Sequence, residues 1–335
     1  MEFGITFKGD IAPERTIALC RQAEKVGFNY AWFFDSHVMA QECFCMIAAC
    51  ARETKRLRLG PCVTNPQVRD WTLAASIFAT LSRFSNHRID AGIGRGESSV
   101  RALGRKPASV KTMVEFAESL RAMVRGDGIT YRRREVRLTW SNTSLPIWIA
   151  AYGPKALGAA GIYSDGLIVQ LADPWLVRWL VELAKNAGAS AGRDMTKFRV
   201  MVAAPAWVGD IEIARTRARW FPAMVGRHVA DLVERYGKDK PTIPKHLVDY
   251  VEERKARNYV KHAESLVESS PSPSNEIVDS FGMLGPPESH VDKLRELQQI
   301  GVTQFNVYLM CGEEERQIAE YGDHIIPKFR SRGAA

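Results

Sequence analysis

A chain of 335 residues can bury one large core, and a (β/α)₈ barrel of about 250 residues with an insertion fits that length better than two unrelated domains. With 46% hydrophobic and 25% charged residues the composition is that of an ordinary globular protein, and no apolar run reaches the ~20 residues of a membrane span, which predicts a cytoplasmic protein with no membrane partner. A net charge of +8 raises nucleic acid as a ligand, yet basic residues alternate with acidic ones, as in Glu252-Glu253-Arg254-Lys255, and no aromatic-basic platform occurs; the excess suits solvated faces and a small polyanion instead.

In chain order, Phe3 to Phe7 reads as a first strand. Pro13 opens an amphipathic helix carrying Ile17, Leu19, Ala23 and Val26, and Gly27 stops it. Phe28 to Phe34 is a second strand, ending in Asp35-Ser36-His37, and Cys43 to Arg52 a second helix. Leu57 and Leu59 mark a third strand, Trp71, Ala74, Ala75, Phe78 and Leu81 recur at helical spacing, and Ile89 to Ile93 is a fourth strand: one βαβ unit. A helix over Thr112 to Val124 and a hairpin within Tyr131 to Trp140 follow. Leu145 to Ala150 is a fifth strand, and Gly153-Pro154-Lys155 opens a helix. Gly166 to Gln170 and Phe198 to Val208 are strands flanking a helix over Trp175 to Ala187. Residues 209–290 form an insertion within a single barrel domain, with a helix over Glu212 to Tyr236 and a polar, mobile stretch from Glu268 to Asn275. Val302 to Met310 and a helix from Glu313 to Phe329 complete the chain. Eight repeats of strand and helix predict a closed parallel barrel, with an open doubly wound sheet as the rival.

Candidate chemistry gathers at strand ends, where barrels bind their ligands. Gly92-Ile93-Gly94-Arg95-Gly96-Glu97 lacks the third glycine of a dinucleotide fingerprint. It reads either as a glycine-lined anion turn with Arg95, Ser98 and Ser99 as donors or as a turn that needs glycine for its torsions alone. Ala151-Tyr152-Gly153-Pro154-Lys155 is a second anion candidate, since the amides of a helix start carry partial positive charge and a lysine there runs against the dipole unless an anion is near. Asp35 and His37 are the candidate catalytic groups; His37 suits proton relay near neutral pH or a plain helix cap. His87, His246, His262 and His324 have polar surroundings and are expected to be solvated, and His228 lies beside Arg227, over a substrate or on the surface. The six cysteines contain no CxxC, so buried thiols are expected, and the absence of HxxxH, HExxH and GxSxG spacings argues against metal and hydrolase chemistry.

These segments together resemble the luciferase-like superfamily of flavin- and deazaflavin-dependent oxidoreductases, and within it the methylenetetrahydromethanopterin reductases that use coenzyme F420. The resemblance covers nearly the full length. It rests on Ala31 to Asp35, Leu59 to Pro66, Ala74 to Leu81, Gly92 to Gly96, Pro146 to Pro154, Ser164 to Gly166 and Gly301 to Phe305. It implies a barrel with a ring system in its mouth and coenzyme F420 or FMN as cofactor. Asp35 and Ser36 would approach the ring edge, and Cys62-Val63 would form a non-prolyl cis bulge behind the ring, at a position where reductases of this type carry glycine. Thr64 and Asn65 would bond the ring, Arg95, Gly96, Glu97 and Ser98 together with Ala151 to Lys155 would hold the phosphate, and Gln170 would line the pocket. It further implies a small-molecule substrate, a homodimer and, with FMN, a separate flavin reductase. An FMNH₂- and oxygen-dependent monooxygenase and a flavin-binding barrel without turnover are the alternatives, and the insertion is expected to cover the mouth.

Overall fold

A computed structural model describes residues 1–237, 243–253 and 273–330. Eight short, buried strands run parallel: β1 (Glu2–Phe7), β2 (Tyr30–Phe33), β3 (Arg58–Pro61), β4 (Ala91–Ile93) and, after a separate antiparallel hairpin of β5 (Ile129–Tyr131) and β6 (Arg134–Val136), β7 (Ile147–Ala150), β8 (Gly166–Val169), β9 (Arg199–Val208) and β11 (Gln304–Tyr308). An additional strand, β10 (Met283–Gly285), pairs with the far end of β9. The order β3-β2-β1-β11-β9-β8-β7-β4 brings β3 and β4 to the two ends of the sheet. Bridges Leu59↔Ile89 and Thr64↔Ile93 join those ends. The result is the expected closed barrel rather than an open sheet.

Local sequence explains the elements around it. The helix Pro13–Val26 starts on proline and stops at Gly27, whose φ of 108° costs a residue without Cβ little. Asp70 caps the helix Trp71–Phe84 and Asp173 the helix Pro174–Ser190. The expected single helix over 212–236 is instead two, Ile211–Ala218 and Phe221–Tyr236. Pro222 lacks an amide donor and sits comfortably only in a first turn, so the chain restarts there. A short helix, Glu97–Ala102, follows the glycine turn. Within the segment expected as an insertion, residues 245–253 are helical and Asn275–Phe281 forms a further helix ahead of β10. Most of the polar stretch 268–275, together with His262, lies outside the described residues. The six cysteines are free, and all but Cys45 are buried.

The barrel interior is filled by Tyr30, Trp32, Trp148, Ile168 and Met201. Tyr30 stacks on Trp32 at 5.7 Å, and Trp148 meets Trp32 edge-on at 5.9 Å. The amino end is closed by charge. Asp90, fully buried, accepts from Arg58 Nε at 3.0 Å and Trp148 Nε1 at 2.8 Å and lies 3.6 Å from Arg199. Arg199 in turn donates to the Tyr30 hydroxyl at 3.0 Å. Each of Tyr30, Arg58 and Arg199 is the first residue of its strand, so a ring of polar groups plugs the end opposite the mouth. Asp90→Ala leaves two arginines there without their buried carboxylate and should destabilise the fold by ~3–5 kcal/mol, read as a lower urea midpoint.

Candidate active site

The carboxyl ends of the strands open on a cavity of about 500 Å³, within the range of small-molecule sites. The chain leaving β2 contributes Phe34, Asp35 and Ser36; that leaving β3, Cys62 and Val63; that leaving β4, Gly94 to Ser99 and then Arg101. Ala151, Tyr152 and Gly153 follow β7, Gln170 follows β8, and Tyr308 ends β11. A seventh wall comes from outside the barrel. Helix Phe221–Tyr236 presents Met224, Arg227, His228, Asp231, Leu232 and Arg235, spaced as one helical face. An adjoining face, with Phe221, Val225, Val229 and Val233, packs into the core. A shallower depression of about 400 Å³ at Arg83, His87 and Trp140 has no strand end in its lining.

Of the residues picked out from sequence, Asp35, Ser36, Cys62, Val63, Arg95, Gly96, Glu97, Ser98, Ala151, Tyr152, Gly153 and Gln170 line this cavity. His37, Thr64, Asn65, Pro154 and Lys155 are not in the lining. His37 is exposed on the turn after Ser36, and Lys155 is exposed on the first turn of helix Pro154–Tyr163. Thr64 is committed to the barrel seam: its amide donates to the Gly92 carbonyl at 2.9 Å and its carbonyl accepts from Gly94 at 2.8 Å. Asn65 stands behind the β4 turn, donating to Ser99 Oγ at 3.0 Å and accepting from the Gln67 amide at 3.0 Å. The Cys62–Val63 peptide is cis, as the resemblance implies.

Two strand ends meet here at backbone distance. A Cβ on Gly94 would stand 2.6 Å from Val63 Cγ2, and one on Gly96, at φ 86°, would stand 2.5 Å from Val100 and 2.9 Å from Asn65. Both glycines are therefore required by packing. A Cβ on Gly153 meets nothing within 4 Å, so this residue borders open space at the start of a helix that no side chain caps.

Burial pushes the Cys62 thiol up to about 12 and raises the Tyr152 and Tyr308 hydroxyls. All three stay protonated at neutral pH. Tyr152 donates to the Gln170 carbonyl at 3.2 Å, and its ring stacks on His228 at 4.5 Å with 3° between the planes. His228 is thus at the cavity and not on the surface; burial, aided by Arg227 and Arg101 against Glu97 and Asp231, lowers its pKa. Glu97 pairs with Arg101 at 2.7 Å and Asp231 lies 3.9 Å from Arg235. Among the described residues Arg95 spends only its Nε, on the Ala108 carbonyl at 2.6 Å. Among the lining arginines, Arg95 and Arg227 have no carboxylate partner in the described residues. The side chains missed from sequence include, His228 apart, those of the outer helix, whose polar stripe at spacing 3, 4 and 7 was the available signal, together with Phe34, Arg101, Ile168 and Tyr308, the last residue of a barrel strand.

His246 is also not solvated. Its Nε2 lies 3.1 Å from Asp173 Oδ2, which also accepts from Ser280, while Asp173 Oδ1 caps its helix through the Leu176 amide at 2.8 Å. Hydrogen bonding to Asp173, against the cost of burial, raises the His246 pKa. Burial opposes the shift at Asp173, but hydrogen bonds from His246, Ser280 and Leu176 hold its carboxyl below the ordinary range. The pair ties the 245–253 helix to the barrel at the end that carries the cavity.

A closed (β/α)₈ barrel with a polar mouth at its strand ends places the protein in the class of barrel enzymes that hold a ligand among their βα loops. Residues 1–304 match the model of the luciferase-like monooxygenase family, and the chain belongs to that family, an oxidoreductase by class. It is 29% identical over 342 residues to a 5,10-methylenetetrahydromethanopterin reductase of Archaeoglobus fulgidus, covering 98% of this chain and 100% of the relative. Among solved structures it superposes with a TM-score of 0.76 on the coenzyme F420 dependent tetrahydromethanopterin reductase from Methanopyrus kandleri, at 24% identity and covering 98% and 99% of the two chains. It also superposes with a TM-score of 0.68 on a long-chain alkane monooxygenase at 14% identity, over 99% of this chain and 92% of the other; these likenesses to solved structures are likenesses of fold.

The histidine tie has a pH signature. Its raised pKa means that its contribution is fully present below the unfolded value of about 6.5 and is lost as pH rises through the folded value. Asp173, held low, stays ionised throughout that window. The melting-temperature gap between wild type and His246→Phe should therefore be widest below about pH 6.5 and narrow as pH rises past it; a gap independent of pH would contradict the assignment.

Proposed function

We propose that the protein transfers a hydride or electron pair between a bound deazaflavin or flavin, coenzyme F420 in preference to FMN, and a small organic substrate. The observation that carries this reading is the convergence of Arg95, the uncapped start of helix Pro154–Tyr163 and the open space at Gly153 on one rim of the cavity. Arg95 and the helix amides bind an anion, and Lys155, exposed on the same helix turn, adds charge there. Ser36 and Ser98 offer hydroxyls, while Val63, Ala150 and Ile168 give the ring an apolar floor. Thr64 and Asn65 act from behind, Thr64 through the seam and Asn65 by fixing the turn that carries Arg95 and Gly96.

When bound, such a ring supplies the redox chemistry itself, and the protein supplies position and hydrogen bonds. Asp35 orients the ring edge from its buried wall, with His37 above it on the exposed turn as the candidate proton relay. Helix Phe221–Tyr236, the lid of this reading, excludes water from the mouth. The preference for F420 is supported by the full-length reductase relatives, and the unpaired Arg227 suits a cofactor or substrate with more than one anionic group. The reading carries with it a cytoplasmic homodimer and, should the cofactor be FMN, a separate flavin reductase.

Titration of the purified protein with F420 and with FMN, followed by oxygen uptake of the reduced complex, tests it. F420 should bind more tightly and oxygen uptake should be absent. Tight FMN binding with substrate-dependent oxygen uptake would instead favour the monooxygenase, and no binding of either would remove the proposal. Arg95→Ala loses charge-assisted hydrogen bonds worth ~1.5–3 kcal/mol and should raise the cofactor Kd by about tenfold or more; an unchanged Kd would reject its role.

A further inference from the structure

The proposed hydride transfer leaves a proton to be settled. When a substrate C–H bond gives up a hydride, the proton on the neighbouring oxygen or nitrogen must pass to a group in the mouth, and the reverse step must return it. His37, on its exposed turn, is outside the cavity lining, whereas His228 is inside it. Of the described groups that line the cavity, only His228 is suited to exchange a proton near neutral pH. Arginines hold their protons at any such pH. The Cys62 thiol and the Tyr152 and Tyr308 hydroxyls, pushed up by burial, keep theirs. Glu97 and Asp231 face Arg101 and Arg235 respectively, and an opposite charge favours an ionised carboxylate. Asp35 is 3% exposed and held by Arg69, which also bonds Glu42, so its carboxylate is withdrawn into the wall.

The imidazole is held in place without being used up. Its ring lies parallel to that of Tyr152, at 3° and 4.5 Å between centroids, and the Tyr152 hydroxyl is fixed on the Gln170 carbonyl at 3.2 Å. The stack sets the plane of the ring from the barrel side, while helix Phe221–Tyr236 sets its position from the other. Among the described residues neither ring nitrogen has a hydrogen-bond partner, and neither is sealed from solvent as Asp35 Oδ1 is. The residue as a whole is half-buried. Burial, joined by Arg227 and Arg101 and opposed by Glu97 and Asp231, lowers its pKa. The imidazole is therefore neutral at pH 7 and free to accept a proton.

We propose that His228 is the proton-exchanging residue of this site: as the substrate carbon loses its hydride to the cofactor, a ring nitrogen of His228 takes the proton from the adjacent oxygen or nitrogen. The electron pair of the broken C–H bond leaves with the hydride, and the pair of the broken O–H or N–H bond stays to form the new C=O or C=N bond. In the reverse direction the imidazolium returns the proton to that heteroatom. The inference rests on the cofactor reading and adds to it the group that moves the proton.

Diethyl pyrocarbonate, which acylates accessible neutral imidazoles, tests it on the full chain, read site by site by mass spectrometry with and without bound F420 or FMN. His228 should react at a rate that follows one ionisation with its midpoint below about pH 6.5, and should still react with the cofactor bound, because it faces the substrate. No reaction in the free protein, complete protection by the cofactor, or a midpoint above about pH 6.5 would overturn the inference while leaving the cofactor reading intact. With the reduced cofactor and a panel of small aldehydes, ketones and imines, His228→Gln should lower kcat by about 10²–10⁴-fold and abolish its dependence on that ionisation, with KM and the cofactor Kd little changed. A loss confined to KM would overturn it. If His228→Gln does not fold, by its melting curve, His228→Asn replaces it. A wild-type protein that binds neither F420 nor FMN would remove the cofactor reading and this inference with it.

Discussion

The barrel depends on the closeness of β3 and β4 at the seam where the sheet meets itself. A Cβ on Gly60 would lie 2.1 Å from the Asp90 carbonyl oxygen, and one on Gly92 would lie 2.3 Å from the Pro61 carbonyl oxygen. Neither contact is possible, so the two strands can approach only because both positions are bare. The bridges Leu59↔Ile89 and Thr64↔Ile93 then close the ring of strands, and the cis Cys62–Val63 peptide lies between them along β3's continuation. The seam is thus also the back of the cavity, since Cys62, Val63, Gly94 and Arg95 leave it directly into the lining. Closure and site share the same few residues.

From this constraint the two ends of the barrel acquire opposite characters. At the amino end, charged and aromatic first residues of several strands turn inward around Asp90 and satisfy one another. At the carboxyl end the polar groups are left partly unspent: among the described residues, Arg95 keeps its terminal nitrogens and helix Pro154–Tyr163 keeps an uncapped start. Polar groups that neutralise each other make a plug, and polar groups that do not make a site. Where they are neutralised the fold gains rigidity, and where they are not they are left for a ligand in the proposed reading.

The order of the eight strands was legible because each is an apolar stretch bounded by glycine, proline or polar residues, and most helices between them, such as Trp71–Phe84 and Val110–Arg125, show a clear 3.6-residue period. The strand-end motifs were legible for a related reason: small and hydrogen-bonding residues directly after an apolar run stand at the mouth of any such barrel. That the insertion covers the mouth was an expectation, but which side chains of helix Phe221–Tyr236 form the wall was not legible, because nothing local tells whether the polar stripe of an amphipathic helix meets water or a cavity. His228 and His246 illustrate this: both sit in polar sequence, and only the tertiary arrangement stacks one on Tyr152 and sets the other against Asp173. Arg69 was hidden likewise, since its partners Asp35 and Glu42 lie 34 and 27 residues away along the chain. The break near Trp220, by contrast, was signalled by Pro222 and the short helix after Gly96 was not, being too brief to show a period.

The two-sided character of helix Phe221–Tyr236 separates what the chain must conserve from what it is free to vary. Its inner apolar positions anchor it, while Met224, Arg227, His228, Asp231 and Arg235 line the cavity and lie outside the apolar core. A descendant gene that kept His228 could exchange the other four side chains and acquire a new appetite for substrates while inheriting the redox platform beneath untouched.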